Sequence, residues 1–282
     1  MKDPKVFLKK IGMQFDVKPA QIDKRFQKSL SPDKQDEVEE IWAMMSMNMA
    51  TGCDLYPLPE TLKQAAILFS HDAPRYRASL AWLRTVALAS EASSVFEVGS
   101  GAGFASAFLQ SEIAGVSVGG IDAIPSLVDI ASELTGSEFA CGNYLDTEGR
   151  PENDLVICDF GFDLANFHPS RKPHGTAVAG RYEYCPGCSE DFVPQFAPYF
   201  AAWKSWMRPT GRLAVVGRFQ NVGMVLAAGR AAASCGLGLV DDLSTKLRVD
   251  TPVGKQAFPA LVFEISSEPT FTPEDSARVY AR

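Results

Sequence analysis

The chain of 282 residues lacks several features that would place it at once. No run of about 18 apolar residues is present, so nothing reads as a membrane-spanning helix. The opening Met1-Lys2-Asp3-Pro4-Lys5 lacks the apolar core of a signal peptide. Base is not in excess: 27 Lys and Arg against 34 Asp and Glu leave a net charge of −7. That balance supplies no global field for nucleic acid or acidic lipid, so neither is an expected partner. No internal repeat or low-complexity linker divides the chain. Histidine is scarce, and the three residues His71, His168 and His174 are the candidates for a base near neutral pH. Six cysteines without an export signal read as reduced thiols of a cytoplasmic protein. What remains is an ordinary globular composition with length enough for a sizeable core.

Residues 1–90 carry helical signals and no strand signal. Val6, Phe7, Leu8, Ile11 and Phe15 are apolar anchors in a lysine-rich stretch. Ser31-Pro32-Asp33 predicts a helix start with a capping hydroxyl, proline at the first position and acid in the first turn. Val38, Ile41, Trp42, Met45 and Met49 follow at helical spacing, and the methionines at 44, 45, 47 and 49 are expected to fill core gaps. Gly52, Pro57 and Pro59 are expected to break that helix. A second helix over about 60–70 and a third opening at Pro74 complete a helical N-terminal cap, 1–90.

From residue 91 the pattern alternates strand and helix. Apolar strands are expected at Val95–Val98, Val116–Ile121, Glu138–Cys141, Leu155–Cys158 and Arg212–Val216. Two more follow, from Leu237 through Val240 with an extension toward Val249, and at Ala260–Ile265. Helices are expected over Phe104–Glu112, Pro125–Leu134, Phe192–Met207 and Asn221–Cys235. The fold class is therefore α/β, a seven-stranded, mostly parallel sheet in a core spanning 91–282, with an insertion at about 160–190.

One stretch organises this pattern. Ser94-Val95-Phe96-Glu97-Val98-Gly99-Ser100-Gly101-Ala102-Gly103-Phe104-Ala105 reads as a buried strand, a glycine turn and a helix start. Glycines at alternate positions let the backbone turn tightly and approach a ligand closely, and the helix aims its first N–H groups at that ligand. A dinucleotide fold wants G-x-G-x-x-G, but here the third position is Phe104. That disfavours the alternative of an NAD-dependent oxidoreductase. The spacing E-x-G-x-G-x-G, from Glu97 through Gly99, Gly101 and Gly103, resembles that of the class I S-adenosylmethionine-dependent methyltransferases. The resemblance covers about residues 75–266 and implies a Rossmann-like core with an antiparallel hairpin at one edge. It implies that Asp122 accepts hydrogen bonds from both ribose hydroxyls, with Ala123 and Ile124 against the adenine. Gly142-Asn143 stands where the family has Gly-Asp, so Asn143, with Tyr144 next to it, would meet the adenine amino group. Asp159 ends the fourth strand, where acceptor meets cofactor, and Arg208-Pro209-Thr210-Gly211-Arg212-Leu213 resembles the family's turn before strand five. The short link 143–153 leaves little room for the usual helix. The Asn-Pro-Pro-aromatic tetrad of amino-methylating nucleic-acid enzymes is absent; strand four ends Cys158-Asp159-Phe160-Gly161.

The insertion is long for a connection in a compact domain. It holds His168, His174 and the C-x-x-C pair Cys185 and Cys188. Those cysteines are read three ways: a zinc site with the two histidines, a redox pair, or reduced thiols in a Pro-Gly turn. Arg171, Lys172 and Arg181 among tyrosines could hold an anionic or aromatic acceptor, or form a solvated face. The expectation is an S-adenosylmethionine-dependent methyltransferase acting on a small molecule, with His71, His168 or His174 as base. Its alternatives are a protein or peptide methyltransferase, and a non-catalytic S-adenosylmethionine-binding protein with a metal-stapled loop.

Overall fold

The central strands are apolar throughout because both faces of the sheet are covered. Along β1 (Ser94–Val98), β4 (Asn153–Asp159) and β7 (Met207–Val216) successive side chains enter opposite cores. Val95, Leu155, Ile157, Ala214 and Val216 pack with the N-terminal helices, while Phe96, Val98, Val156, Cys158, Leu213 and Val215 pack on the other side. The structure is a computed structural model that describes residues 3–145, 152–164, 167, 177–178, 181–182, 189–219, 221–251 and 254–280.

The main sheet also contains β2 (Ser117–Asp122), β3 (Phe139–Cys141), β8 (Leu237–Leu239), β9 (Thr245–Thr251) and β10 (Gly254–Ile265). Its order is β3-β2-β1-β4-β7-β10-β8, with β9 also paired to β10. The first five strands are mutually parallel, and β10 runs antiparallel to β7, β8 and β9. The result is the Rossmann-like α/β sheet with an antiparallel edge. Its eight strands among the described residues are one more than expected. The stretch from Leu237 reaches past Val249 but is broken at residues 241–244, where Ser244 Oγ takes the Val262 N–H in place of a backbone carbonyl. The turn before strand five is a bulge: between the pairs Asn153–Met207 and Leu155–Arg212, one residue of β4 stands against four of β7. Two further short strands, β5 (Ala177–Val178) and β6 (Arg181–Tyr182), pair within the insertion.

The N-terminal region is helical, with α1 (Pro4–Lys10), α2 (Pro19–Ser29), α3 (Pro32–Ser46), α4 (Leu62–Leu68) and α5 (Ala73–Ala89). Ser31 stands at the N-cap of α3, but its hydroxyl makes no capping hydrogen bond, and proline at the first position carries the start instead. The helix stops before Gly52, at Ser46, where Asn48 takes a left-handed turn. Consequently only Met44 and Met45 pack on the small core of Ile22, Phe26, Val38 and Ile41; Met47 and Met49 are exposed. Helices α1, α4 and α5 lie on one sheet face with α6 (Phe104–Glu112) and α7 (Pro125–Thr135). The opposite face carries α8 (Val193–Ser205), α9 (Val222–Ser234) and α10 (Pro273–Tyr280). No helix among the described residues is long and apolar enough to cross a membrane.

Candidate functional site

The glycine turn between β1 and α6 divides its labour. Gly99, Gly101 and Gly103 have φ of 63°, 51° and 69°, the left-handed region that L side chains rarely adopt. A Cβ on Gly99 would lie 3.1 Å from Gly161 Cα, and one on Gly103 only 2.8 Å from Ala131 Cβ. Those two glycines serve packing. A Cβ on Gly101 would meet nothing within 4 Å, because Gly101 faces a cavity.

Asp122 closes β2 and is buried. Its Oδ2 accepts the Gly101 N–H at 2.7 Å and its Oδ1 accepts the Ile124 N–H at 2.9 Å. The carboxylate thus ties the two strand-end loops together. A carboxylate offers about four acceptor positions, so with these backbone donors in place it keeps room for a further donor. Burial pushes the Asp122 carboxyl up, against the pull of the Gly101, Ile124 and Ala123 N–H groups. Beside it, the Ser100 hydroxyl is buried without a hydrogen-bond partner.

Glu97 lies below the turn. Its Oε2 accepts from the Ser106 backbone N–H at 3.0 Å and from Ser106 Oγ at 2.6 Å, so it caps the first turn of α6 from the strand. Burial drives its carboxyl up to about 8; the Ser106 donors oppose the rise, and Asp159 and Asp122 add to it. At neutral pH Glu97 therefore carries a proton much of the time.

Asp159, at the end of β4, is held by the N-terminal region rather than by the sheet. Its carboxylate accepts from Ser79 Oγ at 3.2 Å and sits 3.4 Å from Arg75 Nη1, with both side chains buried. Burial pushes the Asp159 carboxyl up, and Arg75 and Ser79 pull it back. The Arg75 guanidinium is stacked between the rings of Tyr76 and Phe160, 3.9 and 4.0 Å from their centroids. Asp72 lies 3.6 Å from its Nε, and that nitrogen has no hydrogen-bond partner. Phe160 takes a φ of 66°, an uncommon conformation for a bulky residue. Its N–H donates to Val216 O at 2.8 Å and its ring stands edge-on to Phe258 at 5.0 Å, so packing on several sides holds the strain.

These groups line one cavity. The sheet side contributes Glu97, Gly99, Ser100, Gly101, Asp122, Ala123, Ile124, Tyr144 and Asp159; the helical region contributes Tyr56, Phe69, Asp72, Arg75 and Tyr76. The space is narrow, about 70 Å³, well under the ~300 Å³ at the low end for small-molecule pockets. The glycine and carboxylate side is formed, and the rings of the helical region are closed down upon it. Phe104, where a dinucleotide turn would have a small residue, packs edge-on against Phe69 and Tyr76 at 5.9 and 5.6 Å.

Among the sequence candidates, Gly103 packs on α7 and Asn143 lies outside the lining. The Asn143 carbonyl accepts the Leu145 N–H at 2.9 Å, and the side chain is exposed. His71 is likewise outside the lining; its Nε2 is 2.8 Å from Asp23 Oδ1 in the helical region. His168, His174, Cys185 and Cys188 lie outside the described residues. Among the described residues no cluster of His, Cys, Asp and Glu could hold a metal. Arg75, Ser79, Tyr56 and Ser100 were not legible as site residues. Arg75 reads in sequence as one more surface charge near a helix start, and only its partner 84 positions away distinguishes it.

No family model matches the chain, and no curated protein matches it either. Among solved structures the chain is similar to a TehB-like SAM-dependent methyltransferase from Corynebacterium glutamicum. That match has 17% identity, covers 66% of this chain and 88% of the other, and has a TM-score of 0.42. It is similar to magnesium protoporphyrin IX methyltransferase from Synechocystis with bound SAM, at 13% identity, coverage of 73% and 83%, and a TM-score of 0.45. It is also similar to TrmN from Thermus thermophilus, at 16% identity, coverage of 67% and 48%, and a TM-score of 0.45. These likenesses are of architecture, at identities too low to bring an acceptor with them.

Proposed function

We propose that the chain is an S-adenosylmethionine-dependent methyltransferase that acts on a small-molecule acceptor. The observation that carries this reading is the junction of Asp122 with Gly101. A carboxylate at a strand end holds the middle glycine's N–H, retains acceptor capacity, and stands beside the open space that a Cβ at Gly101 would occupy. A ribose diol presents two donors to such a carboxylate, and the unpartnered Ser100 hydroxyl adds one polar group beside it. Ala123 and Ile124 offer the apolar contact an adenine needs, and Tyr144 flanks them in the same cavity.

The cofactor, when bound, supplies a methyl carbon already activated by its sulfonium. What the protein must add is chiefly alignment, which can supply most of the barrier reduction. Asp122 and the glycine turn would fix the nucleoside, while Tyr56, Phe69 and Tyr76 would exclude water above it. Asp159, held by Arg75 and Ser79, is the carboxylate at the strand end where the acceptor would approach. An acceptor hydroxyl or ammonium must also lose a proton, for which a base is needed. His168 and His174 remain the candidates in the insertion.

Calorimetry with S-adenosylhomocysteine, with and without Asp122→Ala, tests the reading. Wild type should bind, and the variant should lose about 1–3 kcal/mol because the diol loses its acceptor. Equal affinities would remove the ribose assignment, and no binding by wild type would remove the proposal.

A further inference from the structure

A second, larger cavity of about 880 Å³ lies beside the first, against the ends of β7, β9 and β10. Its walls are aromatic: Phe219, Phe258 and Tyr280. Among the described residues its charges are Arg218, Arg248 and Lys255 against the carboxylate of Asp250, three cations to one acid in a chain whose net charge is −7. Arg248 and Lys255 make no side-chain hydrogen bond or ion pair with any described residue.

Two contacts separate this cavity from the first. Arg218 Nη2 donates to both Asp72 oxygens at 3.0 and 3.1 Å, and the Phe160 ring stands against Phe258 at 5.0 Å. Asp72 and Phe160 line the first cavity; Arg218 and Phe258 line the second. The partition is therefore one side chain thick on each side. It stands directly after Asp159, at the strand end where the proposed reaction takes place.

We infer that the second cavity is the acceptor site, and that it takes a flat apolar molecule bearing a carboxylate or phosphate. Arg248 and Lys255 hold the anion, Phe219 holds the apolar body, and the Phe160 and Asp72–Arg218 partition is where the accepting atom enters the first cavity. This inference rests on the methyltransferase reading for what the site is used for, but anion binding there can be measured independently.

The probes are benzoate, phenyl phosphate and neutral benzamide, titrated by calorimetry into the full chain saturated with S-adenosylhomocysteine and into the chain alone. At least one anion should bind wild type at least tenfold more tightly than benzamide. In the Arg248→Gln, Lys255→Gln double variant, both changes being at exposed positions, that anion should weaken at least tenfold while S-adenosylhomocysteine affinity holds. The inference is overturned if neither anion binds, if benzamide binds as well as the anions, or if the double variant binds them like wild type. Absent S-adenosylhomocysteine binding with intact anion binding would instead sink the methyltransferase reading alone.

Discussion

Replacing Glu97 with glutamine should flatten part of the dependence of stability on pH. The Glu97 carboxyl titrates near 8 in the folded protein against an ordinary value of 4.5. The folded state therefore binds this proton more tightly than the unfolded chain. Its contribution is fully present below about pH 4.5, falls as pH rises through the interval up to about 8, and is gone above it. One pKa unit corresponds to about 1.4 kcal/mol, so the whole interval is worth on the order of 5 kcal/mol. Glutamine keeps an oxygen to accept from Ser106 N–H and Oγ, and its amide cannot ionise in this range. Urea denaturation of both proteins at pH 5.5, 6.5, 7.5 and 8.5, at constant ionic strength, gives the two slopes. Groups that do not interact with Glu97 behave alike in both proteins and cancel in the difference. Wild type should lose about 2–4 kcal/mol more than the variant between the extremes. Superimposable slopes would refute the assignment of the buried proton to Glu97.

Gly101→Val should abolish S-adenosylhomocysteine binding at a folding cost of about 1–2 kcal/mol, since its Cβ meets nothing within 4 Å but the residue must hold a left-handed φ. Retained binding by calorimetry would show that the ligand lies elsewhere. Arg75→Met should destabilise by about 3–5 kcal/mol, because Asp159 is left buried with Ser79 alone. Adding Asp159→Asn should recover much of that loss, and additive unfolding energies would show the pair uncoupled. The cavity is too narrow as it stands for a nucleoside, so the rings of Tyr56, Phe69 and Tyr76 must move outward on binding. Amide hydrogen exchange over residues 52–76 should then differ between the free and S-adenosylhomocysteine-bound protein, and identical exchange would contradict a moving cap.

The strand ends were legible because local chemistry dictates them. Alternate glycines after an apolar strand have few uses besides a tight turn under a helix, and Asp122 and Asp159 follow apolar runs that must be buried on both faces. Helix α6 begins and ends as its sequence indicates, at Phe104 and Glu112. The methionines misled because periodicity shows a face without showing what covers it. Met49 continues the spacing, but the helix has already ended, and both it and Met47 are exposed. The stretch from Leu237 toward Val249 was legible in extent and not in detail, since its break at 241–244 depends on the Ser244 hydroxyl taking the Val262 N–H of β10.

By itself the sequence determined the α/β class, the place of the glycine turn and the carboxylates around it, since these follow from burial, turn geometry and spacing along a few neighbouring residues. Only the tertiary structure decided which groups share a charge or a wall. It set Arg75 against Asp159 across 84 positions and buried the Glu97 proton under α6. It also closed the aromatic cap over Gly101 and placed the basic cavity behind Phe160. Such pairings join residues far apart in the chain, and their energies depend on the dielectric and packing of a core that exists only after folding.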